Sequence, residues 1–504
     1  MRGVRVLPAA AALLCIAVYA GQLGLGRWQS DEFTLLINQR DWGWHVLSRR
    51  LVYAPRPFSE GLLFLYGEAV LRLGRPLIAP FLAVLWTGVL GAAVLAARSV
   101  LPPSRLRLPT AFGLASVLFA FVLVTNSVTE VFYWPMAAAA YLPTAGSAVV
   151  LMFLLSRPLD QWRRLGCGAA LLVAAASTEM GAALAIGFAG AAAIEAATRP
   201  GAPSRLAATL RESVWWIVPG VVGLITLAMI ASLRAGIVEL GSDTQPYTGQ
   251  AAASIGMALR QLALDLVGGD GAEGTPLAIL GALVTKLLFG LGFALVWRQA
   301  DRAGAATGRW HAVLAVSLGV AVFFSAAASY YHYGTLCCER QSTTRFWLCD
   351  LLAIMAMAWM LVQWPARGSG VRRAAWLPPI LLTLALFPIL FRFDALRQDY
   401  DNLDLASEAR TRTWRSGLQT GTDRMEVRLP PDKVEMLVRG TSVPIGIFRS
   451  GPGAPLLLTE LGRFFGKGEV LTCQSWQTEK SWLIHGQFIP ACPPHDGPPD
   501  SIIP

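Results

Sequence analysis

Residues 77–97 read LIAPFLAVLWTGVLGAAVLAA, a run without one charged side chain. A helix needs ~20 mostly apolar residues to cross the hydrocarbon core of a bilayer. Working outward, ten further stretches qualify, some near the lower limit of about 17 residues. They are approximately 6–25, 109–125, 139–156, 165–178, 182–198, 214–233, 276–297, 310–328, 346–363 and 374–392. The whole composition agrees: of 504 residues, 54% are hydrophobic and only 15% charged, with mean hydropathy +0.50. Soluble chains usually carry ~25% charge. An ordinary cytosolic enzyme, a disordered chain and a secreted disulfide scaffold are excluded. The expected fold is an all-α polytopic membrane domain of about 11 transmembrane helices over residues 1–392. A small C-terminal domain, α/β or mostly β, follows over 393–504.

The fifth and sixth stretches are short and Ala-rich. They are either one re-entrant pair or two spans meeting at Ser177-Thr178-Glu179. Residues 57–73 form a further apolar stretch, expected to be amphipathic because Glu60, Glu68 and Arg72 interrupt it. Residues 1–25 have the basic start and apolar core of a signal peptide but no convincing A-x-A site, so an uncleaved first span is expected.

The net charge of +10 sits in the first 392 residues, since 393–504 hold 12 basic and 14 acidic residues. That placement speaks for topology and against nucleic acid as a partner. With the N-terminus inside, the cytoplasmic loops and the inner end of the sixth span carry 17 Arg. Four acids accompany them: Asp160, Glu195, Glu212 and Asp301. The outer loops before residue 392 carry 11 Arg and 13 acids. This asymmetry follows the positive-inside rule and puts the tail outside. The Arg bias and abundant Ala and Gly suggest GC-rich bacterial coding, hence a bacterial inner (cytoplasmic) membrane and a periplasmic tail. Short apolar runs at 434–438, 443–448 and 455–458 suggest strands in that tail. Cys473 and Cys492 could pair there, because the periplasm is oxidising. Cys337 and Cys338 are adjacent, which precludes an ordinary short bridge between them.

Several constellations could carry chemistry. The first outer loop opens with Arg27-Trp28-Gln29-Ser30-Asp31-Glu32-Phe33 and continues to Tyr53-Ala54-Pro55-Arg56. Adjacent carboxylates at an interface suit general-base work on a hydroxyl or the holding of a divalent cation. The alternative is a solvated loop start. The second outer loop contains Glu130-Val131-Phe132-Tyr133-Trp134-Pro135, where Glu130 is the sole charge. It is a site residue or a carboxylate beside an aromatic belt; Tyr133, Trp134 and Tyr141 also suit interfacial anchoring. Glu179 lies between two short spans and Lys286 about ten residues into the eighth. Ionisable groups at membrane depth are costly and point to function. Lys286 could bind a lipid phosphate, partner Glu179, or form a structural buried pair. After the ninth span come Tyr330-Tyr331-His332-Tyr333 and Glu339-Arg340-Gln341-Ser342-Thr343-Thr344-Arg345. Arginine forks match phosphate; the alternatives are snorkelling for Arg345 and an interfacial role for His332. No Gly-x-x-x-x-Gly-Lys, G-x-S-x-G or H-E-x-x-H motif occurs.

The layout of Asp31-Glu32 after the first span and Glu130 after the third, with about ten spans and a C-terminal domain outside, resembles the GT-C superfamily of membrane glycosyltransferases. That superfamily includes protein O-mannosyltransferases, aminoarabinose transferases and arabinofuranosyltransferases. The segment Glu130-Val131-Phe132-Tyr133-Trp134-Pro135 followed by Tyr141 is also similar to bacterial members with a Trp-x-x-Gly/Ala-x-x-x-Tyr pattern. The resemblance covers 1–392 in layout and 27–60 and 126–146 in motif. It implies transfer of a hexose or pentose from a polyprenyl-phosphate sugar donor to a glycan, glycolipid or protein acceptor, with inversion. Asp31 would act as the base, with Glu32 as its understudy and Glu130 as a second acid orienting acceptor or metal. A divalent cation is left open. From the residues alone, Arg56, Arg340 and Arg345 are chosen to neutralise the leaving phosphate. A flippase or transporter of lipid-linked glycans and an oligosaccharide polymerase are the competing expectations; either would also contact membrane lipids.

Overall fold

The computed structural model describes residues 2–26, 30–101, 107–126, 128–198, 206–236, 251–267, 276–300, 305–363, 376–391, 393–429, 461–474, 483–484 and 487–488. These residues are mostly helical. The helices are α1 (Arg2–Ala20), α2 (Ser30–Trp42), α3 (His45–Tyr53), α4 (Pro57–Leu73), α5 (Ile78–Val100), α6 (Arg107–Thr125), α7 (Thr129–Tyr133) and α8 (Pro135–Leu154). There follow α9 (Gln161–Ala175), α10 (Glu179–Ala197), α11 (Leu206–Gly236), α12 (Ala251–Val267), α13 (Pro276–Ala300), α14 (Ala305–Tyr333) and α15 (Glu339–Gln363). The last are α16 (Leu377–Leu386), α17 (Pro388–Phe391) and α18 (Phe393–Leu418). Among the described residues, 8 helices are long and apolar enough to cross a membrane. They lie in α1, α5, α6, α8, α10, α11, α13 and α14.

Three of the eleven expected spans fall outside that set. Residues 165–178 belong to α9, which has only 15 residues and starts with Gln161-Trp162-Arg163-Arg164. Residues 346–363 are the apolar part of α15, whose first turns are polar. Residues 374–392 contribute only the shorter apolar stretch Leu377–Leu390. The amphipathic stretch expected at 57–73 is α4. The break between α9 and α10 has a local cause. Thr178 is extended (φ −148°, ψ 162°), and its hydroxyl accepts the Gly181 N–H at 2.9 Å, capping α10. The same hydroxyl meets that of Thr144 on α8 at 2.8 Å, so the cap is tied to the bundle's centre.

The chain divides into two compact units. The first comprises residues 1–23, 44–66 and 79–393. Its core is α8, whose most apolar window is 89% buried, against 33% for α1. α8 packs on α9 and α15; α10 packs on α11 and α14, and α13 on α15 and α16. Aromatic rings fill the space between: Phe121 stacks on Phe289 at 3.7 Å, and Phe132 on Trp347 at 5.8 Å. Such pairs add to the burial itself. The second unit comprises 24–43, 67–78 and 394–504, so two segments from early in the chain cluster with the tail. In it Trp414 of α18 packs with Phe33 of α2, Phe464 and Phe465. Its sheet is small: β1 (Arg424–Leu429) pairs in parallel with β2 (Glu469–Gln474), Arg424 opposite Glu469. A second two-strand pairing joins β3 (Leu483–Ile484) and β4 (Gln487–Phe488) antiparallel. The strands expected at 434–438, 443–448 and 455–458, and the Cys473–Cys492 pairing, lie outside the described residues.

Candidate functional site

One end of the first unit gathers ionisable side chains from five elements. The segment before α4 is fixed there because the Phe58 N–H donates to the Ala176 carbonyl at the end of α9, at 3.0 Å. That bond brings Arg56 to the first residue of α10: its guanidinium stands 3.9 Å from the Glu179 carboxylate and 3.5 Å from Glu60. Glu60 is almost wholly buried and also takes the Arg50 guanidinium. Burial alone would lower the Arg56 pKa, but Glu179 and Glu60 outweigh it and hold the group above its ordinary value. Opposite charges within a few ångströms favour the ionised form in this way.

A second arginine approaches from α15. The Arg340 N–H donates to the Glu130 carboxylate at 3.0 Å, and its guanidinium stands 3.5 Å from the same group. The guanidinium also lies 5.3 Å over the Trp134 ring, an arrangement that favours a cation. Burial opposes the Arg340 charge; Tyr141, Cys338 and Glu130 more than compensate, and its pKa is raised. Arg340 also opposes the Arg56 charge. Both also act on the buried Tyr141 of α8.

Beside Glu179 lies a cavity of about 100 Å³ lined by Tyr141, Glu179, Ser325, Ser329, His332 and Gln341 together with apolar side chains of α10, α11 and α14; neither Arg56 nor Arg340 lines it. The Gln341 side-chain oxygen is buried without a hydrogen-bond partner among the described residues. A buried acceptor left so is costly, which suits a polar ligand. Glu179 is the first residue of α10, so its side chain stands at a helix N-terminus.

Arg345 and Lys286 belong to a separate buried group within the first unit. Arg345 is fully buried in an ion pair with Asp265 of α12, at 2.9 Å. Lys286 of α13 is buried 3.2 Å from Asp350 and donates to the Asp265 carbonyl at 2.9 Å. Gln261 completes the group by donating to Asp265 at 2.7 Å. Of the alternatives for Lys286, the geometry shows the buried pair. The Tyr133 hydroxyl donates to the Tyr19 carbonyl at 2.7 Å and so ties α7 to α1. Asp31 is on α2, and its side chain lies outside the described residues; Glu32 is fully buried in the second unit. Sequence reading did not select Gln341, which lines the cavity, nor Asp265 and Asp350 of the separate buried group. Asp350 had a signal, being the one charge inside the apolar run 346–363. Among the described residues, no three His, Cys, Asp or Glu side chains form a group that could hold a metal.

No family model, no curated protein and no solved structure matches this chain. The membrane-spanning fold and the site geometry therefore carry the functional argument.

Proposed function

We propose that this chain is an integral membrane glycosyltransferase that moves a sugar from a polyprenyl-phosphate carrier to an acceptor hydroxyl. The carrier's phosphate would sit against Arg56 and Arg340, and the acceptor in the cavity beside Glu179. The reading places the site on the periplasmic side of a bacterial inner membrane, with the N-terminus cytoplasmic. One observation carries it: a cavity with a carboxylate, Glu179, at its wall, 3.9 Å from the Arg56 guanidinium, with Arg340 one residue before the lining Gln341. Both arginines already hold carboxylates, but the Arg56 Nε–H is buried without a hydrogen-bond partner among the described residues, and Arg forks fit phosphate oxygens.

The chemistry is an in-line displacement at the anomeric carbon. The acceptor oxygen bonds to that carbon as the bond to the phosphate oxygen breaks, and the acceptor proton passes to Glu179. The phosphodiester donor leaves as polyprenyl phosphate with one more negative charge, which the arginines offset. Glu130 positions Arg340. Asp31 and Glu32, the acids that the superfamily resemblance implies, are the competing base. The test is transfer of radiolabelled sugar from a panel of polyprenyl-phosphate sugars in proteoliposomes, with Glu179→Gln beside Asp31→Asn. Donor-dependent release of polyprenyl phosphate, abolished in Glu179→Gln and retained in Asp31→Asn, supports the cavity carboxylate. The reverse pattern returns the role to Asp31.

A second reading, a transporter of lipid-linked glycans, draws on Lys286, Asp350, Asp265 and Arg345, a group of buried charges in helices that pack together. Charged clusters of this kind mark pathways as well as supports in membrane proteins. Flux of a fluorescent lipid-linked glycan across proteoliposomes, lost in Asp350→Asn, would favour it.

A further inference from the structure

The connection between α14 and α15 holds two features that the transferase reading does not use: the adjacent thiols of Cys337 and Cys338. Both are half-buried and free. Gly334 ends α14 in a left-handed conformation (φ 67°) and sends the chain back across the bundle end. The Cys337 N–H then donates to the Ser329 hydroxyl, and the Cys338 carbonyl accepts the N–H groups of Gln341 at 3.2 Å and Ser342 at 3.4 Å. The pair is thereby anchored to two cavity residues, Ser329 and Gln341. Arg340 follows two residues after Cys338 and acts electrostatically on both thiols.

We propose that Cys337 and Cys338 are a vicinal redox pair that closes reversibly into a disulfide by exchange with a disulfide-bearing oxidant, reshaping the cavity rim. The geometry argues for reversibility. Neighbouring Cα atoms across a trans peptide are ~3.8 Å apart. An ordinary disulfide wants about 4.4–6.8 Å. A bridge between chain neighbours is therefore strained, and strained bridges are the labile, regulatory ones. The roles of the two sulfurs also differ. The adjoining Cys338 thiol, with help from Arg340 and against burial and Glu130, lowers the Cys337 pKa to about 6, while Cys338 is raised. Cys337 is thus the attacking thiolate.

In the reaction, the Cys337 thiolate attacks one sulfur of an incoming disulfide and expels the other as a thiolate. Cys338 then attacks the Cys337 sulfur, its proton passing to solvent, and the second thiolate leaves. The two cysteines are oxidised by two electrons and the incoming disulfide is reduced to two thiols. Ring closure displaces the Cys338 carbonyl, and with it the first turn of α15 that carries Arg340.

Thiol state rather than sugar transfer is the readout, so failure of the transferase reading leaves this test intact. The full-length protein in lipid nanodiscs is titrated with oxidised glutathione, and its peptides are mapped by mass. The 337–338 peptide is expected to lose two hydrogens, without an adduct, and to regain them on reduction. The buried Cys15, Cys167 and Cys349 stay as thiols. Cys338→Ser should accumulate a glutathione adduct on Cys337, and Cys337→Ser should leave Cys338 unmodified. Both thiols remaining free in folded wild type, or a lasting adduct on wild-type Cys337 with no ring closure, would overturn the proposal. Elution as a monodisperse species confirms that each variant is folded.

Discussion

Arg345 and Asp265 show what a single charge costs inside this bundle. Each is fully buried, and they meet at 2.9 Å. Removing one partner strands the other without water, a loss of ~3–5 kcal/mol in buried pairs. Asp265→Asn and Arg345→Met should each lower the thermal midpoint in detergent, whereas Asp265→Leu with Arg345→Met should cost less than either alone. A double variant as unstable as the two single losses combined would show that the pair does not act as a unit. Cys337 gives a second residue-scale prediction. With its pKa lowered to about 6 by Cys338, its alkylation by iodoacetamide should fall as pH drops below about 6 and level off above it. Cys338 should react only in alkali; half-maximal labelling of Cys337 near its ordinary pKa of 9.0 would refute this. At this scale the sequence was half legible. Lys286 and Arg345 stand out as charges in or beside apolar runs. Their counter-charges, Asp350 for Lys286 and Asp265 for Arg345, cannot be read from spacing because the helix packing chooses them.

The decisive element is the α9–α10 break. Its Ser177-Thr178-Glu179 sequence is visible as a meeting point between two short apolar runs, since Thr is a preferred cap and an acid suits the first turn. What the sequence does not reveal is that α4 docks on this break and carries Arg56 there, because that contact is one backbone hydrogen bond, Phe58 to Ala176. Thr178→Ala removes both the cap to Gly181 and the hydrogen bond to Thr144. It should cost ~1–2 kcal/mol, as lost caps do. Gly181→Ala tests the close approach: an added Cβ would collide with the Ala174 carbonyl oxygen, so α10 must move away from α9. Overpacking of this kind costs ~1–3 kcal/mol. Unchanged melting of Gly181→Ala would mean that the two helices are less tightly seated than described. The shortness of α9 was legible in its apolar run, but its bounds were not: the helix begins at Gln161, ahead of the apolar run, and ends at Ala175.

For the whole molecule, composition alone identified a multi-pass membrane chain, and 8 described helices have the length and apolarity for it. The grouping of residues 24–43 and 67–78 with the tail was not legible, because it rests on distant contacts such as the Trp414 indole donating to the Gly74 carbonyl at 3.0 Å. The candidate site was legible as residue types: Arg56, Glu130, Glu179, His332 and Arg340 all stood out. Their gathering at one bundle end, without Arg345, is a product of folding. The most direct test of the central claim uses the product common to every donor of the proposed class, polyprenyl phosphate itself. Its binding to the nanodisc-embedded protein should be saturable, and Arg56→Gln or Arg340→Gln should weaken it about 10- to 100-fold, the loss of ~1.5–3 kcal/mol in hydrogen bonds to a charged group. Absence of binding, or equal binding by wild type and both variants with their folding intact, would contradict the account.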